Sequence, residues 1–211
     1  MRPRRVFIAG STGATGQKVV PLALAEDLAV LAHVRPKPGR VADARTAVFD
    51  LSDRGALLGA LRGCTTILQL VGTVRRRFAT GDTYETSDIG TTRTLVEVGR
   101  EAGIDHVVLL SSVGAGHPVG AYLRAKATAE RLVQESSLPW TIFRPSAFVS
   151  ETHHPPPGFA ALTRALGLRR FQPIALASLA AGLVRSAKER APLGTVLEGD
   201  ALFRWVSPAS R

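Results

Sequence analysis

Apolar positions along the chain follow two alternating rhythms. Short continuous runs at Arg5–Ala9, Ala29–Val34, Thr46–Phe49, Thr66–Leu70, His106–Leu110 and Trp140–Phe143 have the length and composition of strands. Helical spacing lies between them, near Gln17–Glu26, Asp53–Leu61, Thr83–Ala102 and Tyr122–Glu135. Strands that are apolar on both faces and joined by helices predict an α/β fold, a doubly wound parallel sheet with right-handed crossovers. Gly103, directly after Ala102, predicts a helix C-cap, and Asp53 reads as a first-turn acid. The pattern breaks at 151–158, where Pro155, Pro156 and Pro157 can form neither helix nor central strand. Helices are expected beyond it at Phe159–Leu166 and Leu176–Ala187. The second of these is apolar nearly all round and therefore buried, in the core or against a second subunit. Residues 1–211 read as one domain, in which 150–211 forms a small region on the substrate side, too short to fold alone.

Composition narrows this picture. A length of 211 residues suits one domain with a sizeable core. A single cysteine, Cys64, excludes an internal disulfide framework and fits a reducing cytosol, so a cytoplasmic location is expected. The basic N-terminus precedes an apolar stretch of only about four residues, which reads as the first strand and not as a secretory signal. The run Ile174–Val184 is too short to cross a bilayer, and no membrane partner is expected. Net charge is +10, with Lys18, Lys37, Lys126 and Lys188 the only lysines. The arginines are spread along the chain and no nucleic-acid module accompanies them, which argues against a nucleic-acid partner. His153 and His154 are adjacent, point apart in extended chain and lack accompanying ligands, so no metal is expected. Among partners, a small-molecule substrate is expected, and a homo-oligomer is the alternative in which an apolar helix would be buried against a second subunit.

The first strand breaks into Gly10-Ser11-Thr12-Gly13-Ala14-Thr15-Gly16, and helical spacing follows. A dinucleotide phosphate needs this order. The first glycine permits a tight turn, the second lets bare backbone approach the pyrophosphate, and the third permits close helix–strand packing. The helix N-terminus then offers free N–H groups and partial positive charge. About 20 residues on, where a fold that binds NAD usually places an acid on the ribose 2′-hydroxyl, the chain has Arg35, with Lys37 and Arg40 nearby. A guanidinium suits a 2′-phosphate, so NADP(H) is preferred over NAD(H). Asp50, beside Leu51, sits where a carboxylate could accept from the adenine amino group or simply cap the next helix. Val71, Gly72 and Thr73 follow the fourth strand and should lie along the cofactor.

The fifth strand runs into Ser111 and Ser112, and Tyr122 and Lys126 follow at i, i+4 spacing on one helix face. An ammonium beside a phenol favours phenolate, so the tyrosine can exchange a proton with a substrate hydroxyl or carbonyl. A serine at the strand end can hydrogen-bond the same oxygen. Arg75, Arg76 and Arg77 read as a solvated loop or as a local field that draws an anionic substrate or partner.

With these motifs, together with Asp88-Ile89-Gly90-Thr91 and Phe143-Arg144-Pro145, nearly the whole chain resembles an atypical short-chain dehydrogenase/reductase. The resemblance is to the NAD(P)H-binding group that includes NmrA-like regulators and Tat-interacting-protein-like oxidoreductases. It implies a Rossmann fold and hydride transfer to or from a small carbonyl or hydroxyl substrate. Ser112 (or Ser111) would polarise the substrate oxygen and Tyr122 would be the acid/base. Lys126 would hold the nicotinamide ribose, and Arg144 and Pro145 would border the nicotinamide end. Some members of the group act instead as NADPH sensors through partner binding. Ser178 stands where many extended relatives carry an acid, and the short substrate region argues against a large nucleotide-sugar site.

Overall fold

The structure is a computed structural model that describes residues 4–37, 39, 43, 45–72, 83–146, 148–149 and 169–207. In chain order the elements begin β1 (Arg5–Ala9), α1 (Ala14–Ala25), β2 (Ala29–Val34), β3 (Thr46–Val48), α2 (Arg54–Leu61) and β4 (Thr66–Gln69). A π-helical segment (Tyr84–Gly90) then leads into α3 (Thr91–Ala102), β5 (His106–Leu110), α4 (Gly120–Gln134) and β6 (Trp140–Arg144). The last part holds β7 (Phe148–Val149), β8 (Ile174–Ala175), α5 (Leu176–Glu189), β9 (Thr195–Glu198) and α6 (Gly199–Val206).

Seven strands form one sheet in the order β3-β2-β1-β4-β5-β6-β9, all pairs parallel. This is the doubly wound sheet that the apolar runs predict. Strand periodicity sends alternate side chains into two cores. Val6 and Ile8 of β1 join Val108, Phe143, Leu179 and Leu183 under α1 and α5. Phe7 and Ala9 join Leu57, Ile67, Leu95 and Leu109 under α2, α3 and α4. The sheet is therefore buried on both faces, as its composition requires. Cys64 is buried, and burial pushes its thiol up to about 11, consistent with a structural role.

Local signals explain the boundaries. Asp53 is the N-cap of α2, where its carboxylate accepts from Ala56 N, and Gly103 caps α3 at φ 73. The expected helix over 83–102 is in two parts. Thr83 and Thr86 form a capping box that opens the π-helical turn, and α3 proper begins only at Thr91. α5 meets α1 and the sheet along one face, with Ala181 and Lys188 exposed on the other. Periodicity beyond residue 187 did not predict β9 or α6, and β9 extends the sheet beside β6. Among the described residues no helix is long and apolar enough to cross a membrane.

Candidate active site

The strand order reverses between β1 and β4, which opens a crevice at their carboxyl ends. The glycine turn fills one wall of it. Gly10 has φ +86 and lies so close to β4 that a Cβ would sit 2.8 Å from Leu70 C. Gly16 lies under the turn, where a Cβ would fall 2.3 Å from Gly10 O and 2.6 Å from Ser11 C. Gly13 differs: its nearest neighbour would be Gly10 O at 3.4 Å, and its φ of −75 suits any residue. The first two positions are demanded by the fold, whereas Gly13 keeps the cleft wall bare. α1 begins with no side-chain cap and no acid in its first turn, so no side chain of that turn engages its leading N–H groups.

The turn is tied down from below. Ser11 Oγ donates to the His33 carbonyl at 2.5 Å, and His33 Nε2 lies 2.8 Å from the Phe49 carbonyl. The Phe49 carbonyl can only accept, so Nε2–H is the donor, and burial lowers the pKa of the ring. Arg35 is exposed at the end of β2 and lines the cleft. Asp50 lines an adjoining cavity, where its carboxylate accepts from Ser52 N (2.9 Å) and Ser52 Oγ (2.7 Å). These bonds hold its pKa below the usual range, and Arg35 adds to the effect.

One cleft of about 370 Å³ runs from Thr12–Gly16 and Arg35, past Leu51, Val71 and Gly72, to Ser111, Tyr122 and Lys126. Lys126 Nζ is 5.9 Å from the Tyr122 ring centroid and 2.8 Å from Asp88 Oδ1. Gly72 makes room for this pair, because a Cβ there would lie 2.8 Å from Nζ. Tyr84 from the π-helical segment packs on Tyr122 with ring centroids 5.8 Å apart.

Sequence-predicted residues divide as follows. Ser111 lines the cleft and is buried, and its Oγ donates to Glu130 Oε1 at 2.5 Å. Ser112 does not line this cleft, and its Oγ is 3.4 Å from the Val113 carbonyl. Arg144 and Pro145 are also off the cleft lining. Arg144 pairs with Glu130 and Glu198, and the Pro145 carbonyl accepts from Val113 N. Thr73, Arg40, Arg75, Arg76, Arg77, His153, His154, Pro155, Pro156, Pro157 and the helix expected at 159–166 lie outside the described residues. Sequence reading gave no role to Asp88 or Glu130. Glu130 was signalled by its spacing, since Tyr122, Lys126 and Glu130 recur at i, i+4, i+8 on one face of α4.

A family profile described as NAD(P)H-binding matches residues 10–190. The chain is 31% identical over 170 residues to (4-alkanoyl-5-oxo-2,5-dihydrofuran-3-yl)methyl phosphate reductase of Streptomyces griseus, a match that covers 76% of this chain. It spans 55% of the length of that relative. Its fold is similar to that of a putative epimerase from Burkholderia cenocepacia, with a TM-score of 0.69 and 22% identity over 93% of this chain and 75% of that one. A short-chain dehydrogenase/reductase superfamily protein from Agrobacterium tumefaciens, solved with bound NAD, matches at TM-score 0.67 and 18% identity, over 93% and 77% of the two chains. The crevice, the bare turn and the profile agree on a nicotinamide dinucleotide. The chain belongs to the NAD(P)H-binding family, an oxidoreductase-type family.

Proposed function

We propose that the protein is an NADP(H)-dependent oxidoreductase that moves a hydride to or from a small carbonyl or hydroxyl substrate, with Tyr122 as acid/base. The observation that carries this reading is the single cleft that joins the glycine turn and Arg35 at one end to Tyr122 and Lys126 at the other. The turn and the leading N–H groups of α1 would hold the pyrophosphate, and Arg35 a 2′-phosphate. A bound nicotinamide supplies the hydride. Tyr122 would give its phenol proton to the carbonyl oxygen on reduction and take it back on oxidation. Lys126, oriented by Asp88, would add positive charge beside that phenol and reach the ribose. The Streptomyces relative is named as the reductase of a small phosphate ester, which supports a small anionic substrate.

The test is Tyr122→Phe. Turnover should fall by about 10²-fold or more, with NADPH affinity kept within about twofold of the parent. An unchanged rate overturns the role given to Tyr122. A second reading, an NADPH sensor without turnover, draws support from one observation: carboxylates already engage both the Lys126 ammonium and the Ser111 hydroxyl. A sensor would bind NADPH, turn over no carbonyl substrate, and keep its partner binding in Tyr122→Phe.

A further inference from the structure

The resemblance to reductases gives Ser112 or Ser111 the task of donating to a substrate oxygen, and of these two Ser111 is the one that lines the cleft. The surroundings of Ser111 oppose that assignment. Glu130 is nearly fully buried, and its carboxylate receives Arg144 on both oxygens. Oε1 accepts from Nε at 2.9 Å, and Oε2 from Nη2 at 2.5 Å and Nε at 3.2 Å. A guanidinium that donates to both oxygens of an acid side chain is the geometry of an ion pair with a carboxylate, and Glu130 in turn raises the Arg144 pKa. Glu198 adds a second carboxylate, 3.1 Å from Nη1, so two acids share one guanidinium. An ionised carboxylate has no proton to give. In the 2.5 Å contact between Ser111 Oγ and Glu130 Oε1 the serine must therefore be the donor, and the bond is charge-assisted. A hydroxyl has one proton, and this one is taken.

We propose that Ser111 faces the cleft as a hydrogen-bond acceptor, fixed in that polarity by Glu130, and binds an N–H or O–H donor of the dinucleotide. The donors available at the nicotinamide end are the carboxamide N–H and the ribose hydroxyls. Carbonyl activation then falls to Tyr122, and Glu130 is a positioning residue that acts through Ser111. This inference rests on the oxidoreductase reading, because it presumes a dinucleotide in the cleft.

The test measures dissociation constants for three reduced dinucleotides. They are NADPH, its analogue with an acetyl group in place of the carboxamide, and a form that lacks both hydroxyls of the nicotinamide ribose. Ser111→Ala should weaken NADPH by about three- to tenfold and leave one of the two analogues unaffected. The unaffected analogue identifies the donor. Glu130→Gln is the second variant. Its amide oxygen stays on Arg144, so its N–H₂ faces Ser111 and releases the serine proton toward the cleft. It should weaken NADPH while sparing the same analogue, whereas simple structural damage would weaken all three alike. Equal weakening of all three by Ser111→Ala, or no weakening of NADPH, overturns the inference alone. If none of the three binds the parent protein, the oxidoreductase reading falls, and the inference falls with it.

Discussion

Lys126 of α4 places its ammonium 2.8 Å from Asp88 Oδ1, in an ion pair whose side chains are 7% and 1% exposed. Asp88 reaches this position through the π-helical turn, which re-aims a side chain relative to regular helix. Thr92 Oγ1 donates to the Asp88 carbonyl at 2.6 Å and receives Gln69 Nε2 at 3.0 Å, which ties that turn to β4. A glycine at position 72 completes the arrangement by leaving space for the amine. The pair is thus supported from three elements.

Removing one partner of a buried ion pair leaves an uncompensated charge, at a cost of about 3–5 kcal/mol. Asp88→Ala should therefore lower the melting temperature by about 10 °C in a chain of this size. Combining Asp88→Leu with Lys126→Met should restore much of that loss while abolishing turnover. Thermal unfolding of the singles and the double checks this. A double variant no more stable than Asp88→Ala would show that the coupling is absent.

Glycines 13 and 16 should separate cofactor binding from folding. Gly16→Ala drives a Cβ to 2.3 Å from the Gly10 carbonyl, so the turn must move and stability must fall. A Cβ at position 13 meets only ordinary contact within the protein, and Gly13→Val adds its methyl groups to the bare cleft wall. It should keep the parental melting temperature and lose NADPH binding by about tenfold or more. Loss of stability in both variants would mean that position 13 also serves the fold.

Much of this architecture was legible because two-sided burial leaves continuous apolar runs. β1, β2 and β5 fall on the runs at Arg5–Ala9, Ala29–Val34 and His106–Leu110. β9 escaped because Thr195–Glu198 is a short strand with mixed polarity that, among the described residues, pairs with β6 alone. Charge partnerships were equally hidden. Asp88 and Lys126 lie far apart in sequence, as do Ser111 and Glu130, so only the packing of α4 on its neighbours joins them. Ser111 and Ser112 are chemically alike and adjacent. Both lie just past the end of β5, so the path of the chain as it leaves the strand decides which of them lines the cleft, and sequence alone does not fix that path.

Arg35 should set the preference between dinucleotides. Its charge lies at the end of β2 with Asp50 nearby, and Ser52 already supplies two hydrogen bonds to that acid. Arg35→Ala should weaken NADPH by about ten- to hundredfold, the scale of lost charge-assisted bonds. NADH affinity should stay the same. Nicotinamide fluorescence titrations at moderate salt measure both. Equal losses for the two cofactors would remove the 2′-phosphate from the role of Arg35.

His106 makes stability depend on pH. Its Nε2 lies 2.9 Å from Thr141 Oγ1, which itself donates to the Pro192 carbonyl at 2.6 Å. The hydroxyl proton is thereby engaged, so Nε2–H donates to Thr141, while Nδ1 is buried without a partner among the described residues. Burial, with a smaller contribution from the Arg190 charge, lowers the His106 pKa from 6.5 to about 4. The unfolded chain therefore binds this proton more readily than the folded one between those values, and stability falls as pH is lowered through that window. Above about pH 6.5 the full stability is present; toward pH 4 a difference on the order of 3 kcal/mol is lost. His33, also lowered by burial, adds a loss of the same sign. His106→Gln keeps an N–H donor for Thr141 but cannot titrate. Its melting temperature should fall less steeply than the parent's between pH 6.5 and 4.5, with the residual slope left to His33 and the carboxylates. Parallel slopes in the two proteins would show that the buried ring at position 106 does not govern acid stability.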